Sequence, residues 1–139
     1  MPSVTHVLQT PAKSGVYRVV GAEAVEREAR SAGAAIAKIR LAGKASFLRN
    51  IAAALDFPDW FGGNWDALED CLTDLGWRPA AVHLLVLEDL AAMPREELGV
   101  LIDVLAAAAQ FWADQGRGFF AVFIDPRGTL ELPELGSAA

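Results

Sequence analysis

Short β-rich runs alternate with helical stretches along this 139-residue chain, which predicts an α/β fold: a small, largely parallel sheet packed with helices. The sheet has three strands, or four if an early run at residues 16–20 joins it. Two observations carry the prediction. The last two candidate strands, VHLLVL at 82–87 and FFAVFI at 119–124, are almost wholly apolar, as strands covered on both faces are. The stretches between candidate strands space their apolar residues three and four apart, as amphipathic helices do. With 53% hydrophobic and 22% charged residues, the chain has the composition and length of one packed domain.

The elements follow in order. Residues 1–15 contain Pro2, Pro11 and Gly15 without periodicity and read as a loose arm. A possible strand at 16–20 precedes a helix at 22–32, which ends at Gly33, a suitable residue just past a helix end. The alternating AIAKIRL at 35–41 reads as a strand. In the helix at 44–55, Phe47, Leu48, Ile51 and Leu55 share one face. A loop at 56–64 contains Pro58 and the Gly62–Gly63 pair, and Asn64 caps a helix at 65–75. Pro94 suits the first turn of a long helix to about Gln115, with Leu98, Leu101, Leu105 and Phe111 on its core face. Right-handed crossovers join the parallel strands. The expected organisation is an N-terminal extension at 1–33, a main domain at 34–125 and a tail at 126–139 that packs little.

Charge is the most informative feature. The formal net charge is -6, yet between Arg49 and Arg78 there is no Lys or Arg at all. Six acids lie there: Asp56, Asp59, Asp66, Glu69, Asp70 and Asp74. The remaining twelve acids balance the twelve bases, so one 28-residue window holds the entire net charge. An anionic chain disfavours direct binding to nucleic acid or to an anionic membrane, and a basic protein surface is the partner it attracts. The single cysteine, Cys71, excludes an intrachain disulfide, and His6 and His83 are too few for a zinc cluster. The N-terminus lacks the basic start and apolar core of a secretory signal, and the apolar run at 98–113 is short and broken by Asp103. A cytoplasmic protein without cofactor is expected.

On a helix at 65–75, Leu68, Cys71, Leu72 and Leu75 form one apolar side, bordered by Trp65. Asp66, Asp70, Thr73 and Asp74 project from the other side, with Glu69 near the boundary. Asp66, Asp70 and Asp74 stand four apart, so each faces a like charge at a cost of a few tenths (~0.2–0.5) of a kcal/mol per pair. The helix dipole offsets this for Asp66 alone. One reading is a solvated acidic face. A sharper one is that an external cation supplies the missing charge, either a basic protein or Mg²⁺ held by Asp66, Glu69 and Asp70. Magnesium needs ligands from a second element, and no second acidic cluster stands out. Trp60 and Phe61 beside the acids have the composition of an interface hot spot instead. Phe61 is the better candidate to cap the core beneath the loop. Gly62 and Gly63 allow positive φ or close approach of another backbone. Cys71, on the apolar side, reads as a buried structural thiol.

The stretch FPDWFGGNWDALEDCLTDLGW, residues 57–77, resembles the signature of the barstar family of intracellular ribonuclease inhibitors. A looser likeness runs over about 34–125. The resemblance implies a barstar-like fold, no enzymatic activity, and insertion of one helix with its preceding loop into a ribonuclease active site. By resemblance the partner-binding residues are Trp60, Gly62, Asn64, Asp66 and Asp70, joined by Glu69, Thr73 and Asp74 on the same acidic face. Asp70 matches the aspartate that meets the catalytic arginines and histidine. Trp60 matches a loop tyrosine and lacks its hydroxyl, Glu69 replaces an aromatic residue, and the link before Trp77 is longer. Asp114 is the one acid near the end of the last helix, where the family has a further contact. The implied partner is a cognate ribonuclease or nuclease toxin bound by a protein that is monomeric when free. An immunity protein for another toxin, or a binding module for another basic protein, fits the same acids.

Overall fold

The computed structural model describes residues 3–135; residues 1–2 and 136–139, the outermost parts of the arm and tail read from the sequence, lie outside the described residues. The chain builds α1 (Val4–Leu8), a 3₁₀ turn (Pro11–Lys13), β1 (Gly15–Val19), α2 (Glu23–Ser31), β2 (Ala35–Arg40), α3 (Lys44–Ala54) and α4 (Trp65–Leu72). It continues with β3 (Val82–Glu88), a second 3₁₀ turn (Leu90–Ala92), α5 (Arg95–Asp114) and β4 (Gly118–Ile124). All strand pairings are parallel, in the order β1-β4-β3-β2, so the early run is the fourth strand of an α/β sheet.

The apolar continuity of β3 and β4 follows from their central position. Side chains alternate across a strand, and both faces of the sheet are covered here. Leu85, Leu87, Phe119, Ala121 and Phe123 pack with Phe47, Ile51, Leu55, Leu68, Leu72, Leu101 and Leu105 of α3, α4 and α5. Leu84, Val86, Phe120 and Val122 pack on the other face with Val4, Val7 and Leu8 of α1 and with Val25 and Ala29 of α2. Each Val, Leu, Ile or Phe among them that is fully buried contributes about 1.5–3 kcal/mol. Among the described residues no helix is long and apolar enough to cross a membrane.

Four expectations are corrected. The described part of the arm, residues 3–15, is ordered: Ser3 caps α1, whose Val4, Val7 and Leu8 are buried against α2. The described part of the tail, residues 126–135, packs: Leu135 is buried, Leu130 and Leu132 lie on the core, and Arg18 of β1 exchanges backbone hydrogen bonds with Pro133 and Leu135. It thereby covers the outer edge of β1, which would otherwise present unpaired backbone groups. Glu134 adds an ion pair to Arg18 at 3.1 Å, and the buried Asp125 accepts hydrogen bonds from Thr129 and Leu130 to set the tail's first turn. On α5, Phe111 is exposed and Trp112 is buried instead. The face actually buried is Leu98, Leu101, Val104, Leu105, Ala108, Ala109 and Trp112, so Leu98, Leu101 and Leu105 lie on it as expected and Phe111 falls one position off it. Pro94 stands one residue before that helix, in its cap position.

The fourth correction concerns the acidic helix, which ends at Leu72 rather than at residue 75. The Thr73 hydroxyl donates back to the Glu69 carbonyl at 2.9 Å, and Leu75 takes a left-handed φ of 50° that still buries its side chain. Trp112 closes the end. Its Nε1–H donates to the Leu72 carbonyl at 2.7 Å, tying α4 to α5.

His83, at the start of β3, is buried between the rings of Trp112 and Phe119, and its Nδ1 has no hydrogen-bond partner. Burial, then the charges of Arg78 and Arg117, lower its pKa to about 4. The unfolded chain takes up this proton nearer 6.5, so protonation favours unfolding. Stability is therefore expected to fall as pH drops from about 6.5 towards about 4. In urea titrations across that range, His83→Phe flattens the slope. A slope unchanged in the variant would assign it to other groups. Trp112→Phe keeps most of the buried ring but leaves the Leu72 carbonyl unpaired, and is expected to cost about 1–3 kcal/mol in the same assay.

Candidate functional site

The loop at 56–63 is anchored at both ends before it reaches the acids. Asp56 leaves α3 with a left-handed φ of 53°, and the Phe57 N–H donates to the Ala52 carbonyl at 2.9 Å. The Asp56 carboxylate lies 3.8 Å from the Arg78 guanidinium, so one acid of the 28-residue window has an internal counter-charge. Phe57 packs edge-on against Phe61 at 4.9 Å and against Trp77 at 6.1 Å between ring centres. The Trp77 Nε1–H donates to the Leu55 carbonyl at the end of α3. These rings form the loop's apolar support.

Trp60 is what they leave outside. Its ring meets Trp77 edge-on at 6.1 Å, yet 57% of the residue is exposed, whereas Phe61 is half-buried. A large aromatic side chain held from one edge and bare on the rest suits an interface anchor. Gly63 has φ +71° and uses the freedom only glycine has at low cost. Gly62 does not: it has no positive φ, and a Cβ there would meet Ala67 Cβ at an ordinary 3.6 Å.

Asn64 begins α4 in extended backbone, its Oδ1 accepting the Ala67 N–H at 2.8 Å. This cap fixes the helix phase. Leu68, Cys71 and Leu72 point into the core with no exposure, and Asp66, Glu69 and Asp70 point into solvent. Trp65 is half-buried beside Phe47, with the Lys44 ammonium over its ring at 5.9 Å. Thr73 is also half-buried, because its hydroxyl is folded back on the helix. Asp74 lies past the helix end, exposed, accepting the Gly76 N–H at 3.1 Å. The expected stripe of three aspartates is thus a helical pair followed by a third in the turn.

Among the described residues, Asp66, Glu69, Asp70 and Asp74 form no ion pair. Their influence reaches inward: burial, then Asp74 and Asp70, push the Cys71 thiol up to about 11, so at neutral pH it is an inert thiol. Among the described residues no group of three or more His, Cys, Asp or Glu side chains is placed to hold a metal ion. Asp114, exposed at the end of α5, accepts a hydrogen bond from Gln110.

The supporting residues Trp77, Arg78 and Trp112 were not marked as site residues by the sequence. Their bonds span 22 to 42 positions, and local periodicity carries no signal for such contacts.

Comparison with known proteins bears on this geometry. A family model described as "Barstar (barnase inhibitor)" matches residues 33–124, a span that includes the loop, α4 and all three supports. No curated protein sequence matches. A crystal structure of Cdc6p from Pyrobaculum aerophilum is similar in fold, with a TM-score of 0.54 and 16% identity over 84% of this chain. The chain spans 35% of that protein's length, and at such identity the likeness is one of fold alone. Matched over well more than half its length, on the stretch that carries the capped acidic helix, this protein belongs to the barstar family.

Proposed function

We propose that this protein inhibits a small basic ribonuclease by seating α4 and its preceding loop in the enzyme's active site. The observation that carries the reading is the exposed, unpaired acidic face of α4, on a family member whose model is described as a barnase inhibitor. A ribonuclease that works by general acid–base chemistry must bind a phosphodiester, so its site is cationic. A carboxylate on a rigid helix can take the phosphate position and accept charge-assisted hydrogen bonds from arginine. Asp70 has the central role in this reading, with Asp66 and Glu69 beside it, Asp74 and Thr73 at the helix end, and Trp60, Gly62 and Asn64 along the loop edge.

The repulsion among these acids is built into the free protein. Arginines of a partner would offset it with attraction to every acid of the face at once. Excess negative charge on one face also steers encounter with a basic enzyme. The inhibitor undergoes no reaction; it occludes. In this reading it acts in the cytoplasm as a monomer, guarding its host against a nuclease. Trp60 and Glu69 depart from the family pattern, which supports a cognate enzyme, or a nuclease toxin for which this is the immunity protein, differing from barnase around the pocket rim.

Wild-type protein is expected to block RNA cleavage by a small basic ribonuclease at stoichiometric ratios, more slowly as salt is raised. Asp70→Ala should weaken inhibition roughly thirtyfold or more, the size of a hot-spot loss. An Asp66→Ala, Asp70→Ala double variant that stays folded and inhibits undiminished would refute the site.

A further inference from the structure

Beside the acidic helix the structure holds a second feature of opposite character. Ala45, Leu48, Arg49 and Ala52 of α3 and Phe61 and Gly63 of the loop line a groove of about 280 Å3. Its walls are carbon: the Ala45 and Ala52 methyl groups, the edge of the nearly buried Leu48, and the half-buried Phe61 ring. Arg49 is exposed on the rim. Its guanidinium donates to the Ser46 hydroxyl at 3.2 Å and is in no ion pair among the described residues. Lys44, one turn earlier, leans over Trp65 at the start of α4.

Two of the lining residues, Phe61 and Gly63, lie between Trp60 and Asn64 in the loop. The groove is therefore walled on one side by the same loop that carries Trp60, Gly62 and Asn64 of the proposed interface. Its volume is below the range of about 300–1,000 Å3 usual for small-molecule sites, and it suits a single side chain. Its charge is the discriminating feature. The rim of a cationic ribonuclease pocket would be repelled by Arg49 and Lys44 unless the enzyme carried an acid there. We infer that this groove receives an aliphatic or aromatic side chain of the inhibited ribonuclease, adjoined by a carboxylate that pairs with Arg49. This rests on the inhibitor reading and names the part of the surface that selects among ribonucleases: the acids suit any cationic pocket, whereas the groove accepts only an enzyme with an apolar knob and an acid beside its pocket.

The test separates the two readings. Cleavage of RNA by a panel of small basic ribonucleases, barnase among them, is titrated with wild type, Asp70→Ala, Ala52→Trp, Arg49→Glu and Ala24→Trp, the last on the opposite face of the sheet. Thermal melts verify folding, and sedimentation at the assay concentration gives the oligomeric state. Expected is about a tenfold or greater loss of inhibition for Ala52→Trp and for Arg49→Glu, with Ala24→Trp unchanged. Loss with Asp70→Ala but full inhibition by both groove variants overturns the groove and leaves the inhibitor reading intact. A wild-type dimer dissolved by Ala52→Trp would seat a second copy there and also overturn it. Wild type that inhibits no enzyme of the panel overturns the inhibitor reading, and this inference with it.

Discussion

Everything presented by the acidic face depends on how α4 is held from beneath. Eight residues make a helix too short to be stable alone. Its stability comes from burying Leu68, Cys71 and Leu72 completely and from the Trp112 indole closing its last turn. Against that anchorage, like-charge repulsion of a few tenths (~0.2–0.5) of a kcal/mol per pair is small. The core can therefore hold exposed, unpaired acids side by side without losing the helix. Neutralising them from inside would have removed the one property that distinguishes this face from the rest of the surface.

The support is redundant in kind. Trp77 does at the end of α3 what Trp112 does at the end of α4: each places an indole N–H on a carbonyl the helix itself leaves unpaired. The loop and α4 together lie between these two closures, with Phe57 and Phe61 packed beneath the loop, Arg78 3.8 Å from the Asp56 carboxylate at its start and the Asn64 cap at its end. Restraint at both ends allows Trp60 to stand exposed without making the loop loose. The sheet contributes at longer range. Trp112 packs near His83 of β3, so the acidic helix, α5 and a central strand form one continuous block.

How much of this was legible in the residues follows from how local each determinant is. The α/β class, the two-sided burial of β3 and β4, the Asn64 cap and the inward face of α4 are all written within a few residues, as periodicity and capping chemistry. The end of α4 was not, because Thr73 and Leu75 stop the helix jointly with a tryptophan 40 positions away. Phe111 and Trp112 were separated by one position, and helical spacing with two adjacent aromatics leaves the choice to tertiary packing. The arm and tail read as loose because proline and turn residues dominate them. The order of their described residues comes from α2 and from the edge of β1, neither of which leaves a trace in the segments themselves.

The edges of the site carry the argument about partners further than its centre does. In the proposed interface the aspartates of α4 supply attraction without much discrimination, since a cationic cavity of fitting size satisfies them wherever it occurs. Discrimination needs groups that penalise the wrong enzyme. Around α4 those are the extra negative charge of Glu69, the Trp60 ring with no hydroxyl to donate, and the Arg49 cation beside an apolar groove. Each asks something different of the enzyme's rim: a cation, an apolar surface without need of a donor, and a carboxylate next to an apolar side chain. Meeting all three at once is far rarer than presenting a cationic pocket, so in the proposed interface selectivity would come from these rim groups rather than from the aspartates.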